Sequence, residues 1–467
     1  MGEGEHKAAR LGTLVERLTA QLTEEILRGQ PAVGSRLMSI RKAAERYGVS
    51  KNTVIEVYDR LVASGYAASR QGSGFEVRMP PEANRRGRPR HVAEAVDIAS
   101  LLSAQLEENF EIRVGDGRPP PAWAEESEIK RHLGLFGRSD MSGTDAYGSA
   151  RGFPALRSEI ARRLGAQHLR ASEEEILLTF GANHALDLII RAFLSPGDVV
   201  LVDEPGYYPL FAKLKLARVR VLGVRRNPDG PDVDDFVAKA AAERPRMFFT
   251  QSIGHNPTGS SISLPVAHAL LNAATVHNVT IVEDDPFTDL APSVPSRLVT
   301  LDQLNRVMSV GTFSKTLSAS LRAGYVVGNR EQISALAELK MLTTVNSSGH
   351  IERLIHRLLV EGHYDRHLKR LAQRIDGAAI QVIQRLGELG CKLFTGNGGG
   401  YYLYLLLPGH MDDIEFARRG AKESIFIAPG SVFCLERGNP AAAGIRLNVA
   451  RANDERFYSF LARNLSQ

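Results

Sequence analysis

Along residues 11–29 the apolar positions Leu11, Leu14, Leu18, Leu22, Ile26 and Leu27 recur close to a 3.6-residue period, and Gly29 follows as a stop. That spacing predicts one amphipathic helix. The stretch SIRKAAERYGVSKNTVIEVYDRLVASGY predicts a short helix, a turn at Gly48 and a second helix capped by Ser50. On that second helix Val54, Tyr58 and Leu61 form an inward stripe, while Lys51, Asn52 and Thr53 occupy its polar first turn. GYAASRQGSGFEV then predicts a small hairpin with Gly72, Ser73 and Gly74 at its tip. Over 79–96 the periodicity disappears into a Pro-, Arg- and Gly-rich run, the composition of a flexible basic linker. Beyond it the short runs EILLTF, DVVLVDEP, VRVLGV, MFFTQS, VTIVEDD, RVMSVGT and AGYVVG alternate with helical stretches. Continuous apolar strands of this kind predict a mainly parallel sheet covered on both faces.

Length and charge sharpen that division. A chain of 467 residues with 43% apolar content supports two or three domains. The net charge of +5 is unevenly spread: up to His91 there are 16 Lys and Arg against 10 Asp and Glu, so the whole basic excess lies in the first fifth. Such an asymmetry predicts a polyanion partner for that part. Two cysteines without metal-like spacing imply a reducing compartment and no metal site, and the longest apolar run, YYLYLLL, is too short to span a bilayer. A cytoplasmic protein without a membrane partner is expected.

Helix, helix-turn-helix and glycine-tipped hairpin together make a winged helix-turn-helix over 8–78, and residues 11–78 resemble the DNA-binding head of GntR-type bacterial regulators. The likeness implies that Arg41, Ser50, Lys51, Asn52 and Tyr58 face double-stranded DNA, with Arg70 and Gly72 at the wing. Met38 departs from the proline usual before the second helix of that family.

In a parallel sheet, ligands collect at the carboxyl ends of the strands. There the sequence places GANHALDLI, a glycine turn opening a helix whose free N–H groups at Ala182 and Asn183 suit an anion. Tyr207, Asn256 and Asp284 follow three further strands, and TFSK brings Lys315 after another, with Arg322 seven residues on. A cofactor carrying a phosphate, a pyridine ring and an aldehyde requires these groups: an amine for a Schiff base, a carboxylate for the ring nitrogen, an aromatic face, an amide and an anion cradle. Residues 97–467 resemble fold-type I aminotransferases dependent on pyridoxal 5′-phosphate, an α/β fold with a smaller α+β C-terminal domain, here from about residue 355. The resemblance implies that Lys315 is the Schiff-base lysine and Asp284 the partner of the ring nitrogen. It further implies that Asn256 contacts the phenolic oxygen, Tyr207 stacks on the ring, and Ala182, Asn183, Thr312 and Arg322 surround the phosphate. Arg446, in GIRLNVA, is then the guanidinium for an effector carboxylate, and Tyr147 the residue lent to the site by a partner subunit. Phe287 departs from the pattern, since related enzymes carry a tyrosine there that donates to the phenolic oxygen.

A GntR-like head joined to an aminotransferase-like body is the layout of MocR-type regulators. The expected protein is a homodimeric transcription factor that reads paired half-sites and senses a small amine, an amino acid or the cofactor itself. An active aminotransferase with an appended head is the alternative.

Overall fold

The computed structural model describes residues 14–27, 31–32, 34–70, 74–78, 110–125, 129–136, 146–290, 297–396, 400–436 and 438–465. The chain divides into two compact units, Met1–Ala93 and Glu94–Gln467.

In the first unit, α1 (Leu14–Leu27), α2 (Ile40–Tyr47) and α3 (Lys51–Ala63) are followed by an antiparallel pair, β1 (Ala67–Arg70) and β2 (Gly74–Val77). Each boundary of the helix-turn-helix has a local cause. The Ser39 side chain accepts the Lys42 N–H at the start of α2, and Gly48, at φ +63°, ends it in the left-handed region open to glycine. Ser50 accepts the Thr53 N–H at 3.1 Å and starts α3. Leu18, Leu22 and Ile26 of α1 pack on Val54, Val57 and Leu61 of α3. Gly29, the hairpin tip at Gly72 and Ser73, and the 79–96 linker lie outside the described residues.

The second unit holds an eight-stranded sheet in the order β3 (Ile176–Thr179), β10 (Gly324–Val327), β9 (Val307–Thr312), β8 (Thr280–Asp284), β7 (Met247–Thr250), β4 (Val199–Glu204), β5 (Arg220–Asn227) and β6 (Gly230–Pro231). All seven apolar runs named above enter this sheet. β5, β4, β7, β8 and β9 pair in parallel, and the two hydrophobic cores of the large lobe cover the faces. β10 runs antiparallel to both β9 and β3. The reason is the connection: only residues 313–323 separate β9 from β10, too few for a crossover helix, so the chain doubles back. The start of β10 therefore lies at the edge where β9 ends.

A second sheet, β11 (Lys392–Leu393), β12 (Tyr402–Leu406), β14 (Gly444–Asn448) and β13 (Ala428–Pro429), is antiparallel and forms the smaller lobe. Residues 110–118, far away in sequence, join it: Ile112 bridges Ile425, and the Asn448 N–H donates to the Val114 carbonyl at 2.7 Å. The sequence pattern had given no sign of that attachment. Among the described residues no helix is long and apolar enough to cross a membrane.

Candidate functional site

A cavity of about 530 Å³ opens where the parallel strands end. Ala182, Asn183, Tyr207, Asn256, Asp284, Thr312, Lys315, Arg322 and Arg446 all line it. Asp284 closes β8 and is buried. Its Oδ2 accepts from Gln251 Nε2 at 3.1 Å, while Oδ1 is buried without a partner. Burial pushes this carboxyl up to about 7, opposed by the Gln251 hydrogen bond, reinforced by the Asp285 charge and opposed again by Lys315. An acceptor so placed is suited to a cationic N–H.

Lys315 projects from the β9–β10 connection, and its Nζ donates to the Gly117 carbonyl. Arg322 comes from the same connection, reaching the shared edge because β10 reverses direction. Arg322 Nη2 donates to the Phe180 carbonyl at 2.9 Å, beside the N-terminus of α4 (Ala182–Phe193). Gly181 caps that helix at φ +87°, and a Cβ there would stand 3.2 Å from the Arg322 guanidinium. Ser314 Oγ, buried and without a partner, lies close to the same glycine. Open helix N–H groups, a guanidinium and a hydroxyl together form an anion cradle. Thr312 differs from its expected role in one respect: its hydroxyl already donates to the Ala323 carbonyl and accepts the Ser314 N–H. Ser314 thus offers the hydroxyl left over for an anion. Gln251, directly after β7, and Ser314, two residues after β9, were missed in the sequence because no linear pattern shows which polar groups at a strand end are left without partners.

Arg446 sits at the centre of β14, 1% exposed. Its Nη1 donates to Asn256 Oδ1 at 2.9 Å and Nη2 to the Gly115 carbonyl at 2.6 Å, while Nε is unpartnered. Gly117 permits this, since a Cβ there would stand 3.2 Å from the guanidinium. With Oδ1 of Asn256 occupied, its Nδ2 remains as a donor. Tyr207 also lines the cavity, its phenol pushed up by burial and then by Asp284. Phe287 is 1% exposed, its ring 5.7 Å from those of Tyr401 and Tyr402, and it belongs to the small-lobe core. Tyr147 is 88% exposed and does not line the cavity of its own chain.

On the head, Arg41, Lys51 and Asn52 are exposed, and Arg41 lies 3.9 Å from Glu45. Ser50 spends its hydroxyl on the cap of α3 and a 2.8 Å contact to Thr53 Oγ1. Tyr58 requires a correction, because it does not face outward toward a duplex. It is 1% exposed, its hydroxyl donates to the Met38 carbonyl at 2.9 Å, and its ring meets Phe75 edge-on at 5.1 Å. Burial pushes its phenol up to about 12. The cause is helical phase, since Tyr58 stands four residues after Val54, on the buried stripe. Arg70 lies in β1, and Gly72 is outside the described residues.

A winged helix-turn-helix in one chain with an aminotransferase-type body defines a transcription regulator. Residues 109–463 match the family model for aminotransferase class I and II, and residues 14–77 match that for bacterial regulatory proteins of the gntR family. The chain belongs to both families, and so to the MocR-type regulators that combine them. It is 30% identical over 443 residues to the HTH-type transcriptional regulator TauR of Rhodobacter capsulatus, covering 90% of each chain. It is 27% identical over 431 residues to YdcR of Escherichia coli, an uncharacterized HTH-type transcriptional regulator, covering 90% of this chain and 91% of YdcR. A kynurenine aminotransferase of Pyrococcus horikoshii, solved in complex with PMP, superimposes with a TM-score of 0.73 at 24% identity, over 82% of this chain and 97% of that one.

Proposed function

We propose that the body binds pyridoxal 5′-phosphate and reports a small amine or amino acid to the head. The observation that carries this reading is the buried, unpartnered Oδ1 of Asp284 in a cavity lined also by the anion cradle and by Lys315. Lys315 would offer its amine to the cofactor's aldehyde, and Asp284 would hold a proton on the ring nitrogen. Tyr207 would stack on the ring and Asn256 Nδ2 would donate to the phenolic oxygen. The α4 N-terminus, Ser314 and Arg322 would take the phosphate. Bound there, the cofactor supplies an electrophilic carbon for amines and an electron sink. Arg446, which still has donor capacity beyond its two bonds, would hold an effector carboxylate.

The same reading makes the chain a cytoplasmic homodimer whose two heads read paired half-sites in DNA, with Arg41, Lys51 and Asn52 at the duplex and Tyr147 reaching the partner's site. Phe287 favours sensing over turnover. It has no hydroxyl to stabilise charge on the phenolic oxygen, which matters to a transition state more than to binding. The test is visible absorbance of the purified chain and of Lys315→Ala, followed by operator affinity with and without added amines. A regulator binds amines, shifts its DNA affinity and releases no keto product. Rapid keto acid formation at enzyme-like rates would instead establish an aminotransferase with an appended head.

A further inference from the structure

A second cavity, of about 690 Å³, adjoins the first. The two share Arg118, Pro119, Ser314, Lys315, Ala319 and Ser320, so Lys315 is part of the wall of both. Away from this shared wall the second cavity changes character. Beside Arg113, Asp116, His367 and Arg451, its lining there includes Trp123, Ile129, Leu133, Leu371 and Tyr401. The Trp123 and Tyr401 rings stand 6.3 Å apart at 43°, an open angle between two aromatic surfaces.

The charged and aromatic polar groups away from Ser314 and Lys315 make contacts to the protein frame. Arg118 donates to both oxygens of Asp116, at 3.0 and 2.9 Å, and Arg113 donates to the same carboxylate at 3.0 Å. Arg451 donates to the carbonyls of Arg118 and Pro119. His367 Nε2 lies 2.7 Å from the Thr316 carbonyl, and the Tyr401 hydroxyl donates to the Lys315 carbonyl at 3.3 Å. Asp116 holds the Arg113 and Arg118 guanidiniums back at the shared side, and beyond them the lining turns apolar, so a distal carboxylate reaching Trp123 and Tyr401 would lose its hydration without a matching partner. An apolar group would lose only contact with water. The volume lies within the range of about 300–1,000 Å³ of small-molecule pockets and far exceeds the need of a methyl side chain.

We infer that the second cavity is the side-chain chamber of the effector site and that the effector is an amine or amino acid with an aromatic tail. Its amino group would reach the electrophilic carbon that the cofactor presents beside Lys315, and its ring would lie between Trp123, Leu371 and Tyr401. This inference rests on the cofactor reading for the role of Lys315, but the chamber itself is tested separately.

Trp123 is the only tryptophan of the chain, so emission excited selectively at tryptophan reports on this chamber. The experiment titrates the full chain, reconstituted with pyridoxal 5′-phosphate, with alanine, phenylalanine and glutamate, following both the visible band and Trp123 emission. Phenylalanine is expected to saturate about tenfold below alanine, a preference of the size that burying one ring readily supplies. Trp123 emission should change with the same midpoint. Trp123→Ala should remove the preference for phenylalanine over alanine. Leu133→Arg, at a position 46% exposed, keeps the question open to test should the first variant fold poorly, and it should weaken phenylalanine selectively. Equal midpoints for alanine and phenylalanine, preference for glutamate, or unmoved Trp123 emission would each overturn the chamber. Absence of a visible band would instead overturn the cofactor reading. Phenylalanine quenching of Trp123 in the same sample would still uphold the chamber, and its absence would sink it.

Discussion

Lys51 and Asn52 on the head lie next to Ser50, the residue that caps their own helix, whereas Lys315, Asp284 and Asn256 in the body come from three separate strand ends and meet only in the folded sheet. The head surface is consequently local and modular, since α3 alone orients its polar first turn. The cavity is cooperative, since its geometry depends on strand order, on the reversal of β10 and on residues 115–117 lying against Arg446. A single change in the head should therefore act in proportion to one contact. A single change in the cavity can remove a function outright.

The largest effect expected is that of Lys315→Ala. It should abolish any borohydride-stable adduct with pyridoxal 5′-phosphate, read by mass spectrometry, while the chain stays folded. An adduct of unchanged stoichiometry would place the covalent anchor elsewhere.

Asp284→Asn comes next, and its signature is in pH. With a folded-state value of about 7 against 3.8 unfolded, the ligand-free chain holds a proton that the unfolded chain has released. This carboxyl is thus neutral to stability below the unfolded value. It becomes progressively destabilising as pH rises toward 7, by about 4 kcal/mol in all at 1.36 kcal/mol per unit. Asp284→Asn should flatten that part of the ligand-free stability curve, measured by urea unfolding from pH 4 to 8, and should also weaken cofactor affinity. A variant whose pH profile matches the parent would remove the strained carboxylate from the account.

On the head, Arg41→Ala and Lys51→Ala should each weaken operator binding by about 1–3 kcal/mol, the scale of one good groove contact. Tyr58→Phe sharpens the contrast within one helix. Losing its hydrogen bond to Met38 should cost about 1 kcal/mol of head stability and leave operator affinity of the folded chain nearly unchanged. Loss of affinity comparable with that of Lys51→Ala would return Tyr58 to the DNA surface. Ser50→Ala should cost a similar amount, about 1 kcal/mol of head stability through the lost cap, read by urea unfolding.

Much of this was legible before folding. Caps, turns and stripes of the head are short-range devices, so Ser50, Gly48 and the 54–61 stripe could be read directly. The same stripe already carried Tyr58 inward, and the family likeness that turned it outward yielded to helical phase. In the body, nine of the ten residues assigned to the site line one cavity, Tyr147 being the exception. Strand ends are readable because apolar runs stop where the chain must turn.

Other features came from tertiary structure alone. Gln251 and Ser314 became site residues only once neighbouring groups had used up the donors and acceptors around them, which no linear pattern displays. Phe287 is absorbed into the small-lobe core by Tyr401 and Tyr402, contacts more than a hundred residues away. The attachment of residues 110–118 to the small lobe, and with it the shared wall between two cavities, depends on pairing across more than 300 residues. The sequence by itself determined which groups the protein could bring to a site, because periodicity and turn chemistry act over a few residues. Which groups remained free to act there was decided by the fold, because burial and hydrogen-bond saturation are properties of neighbours in space.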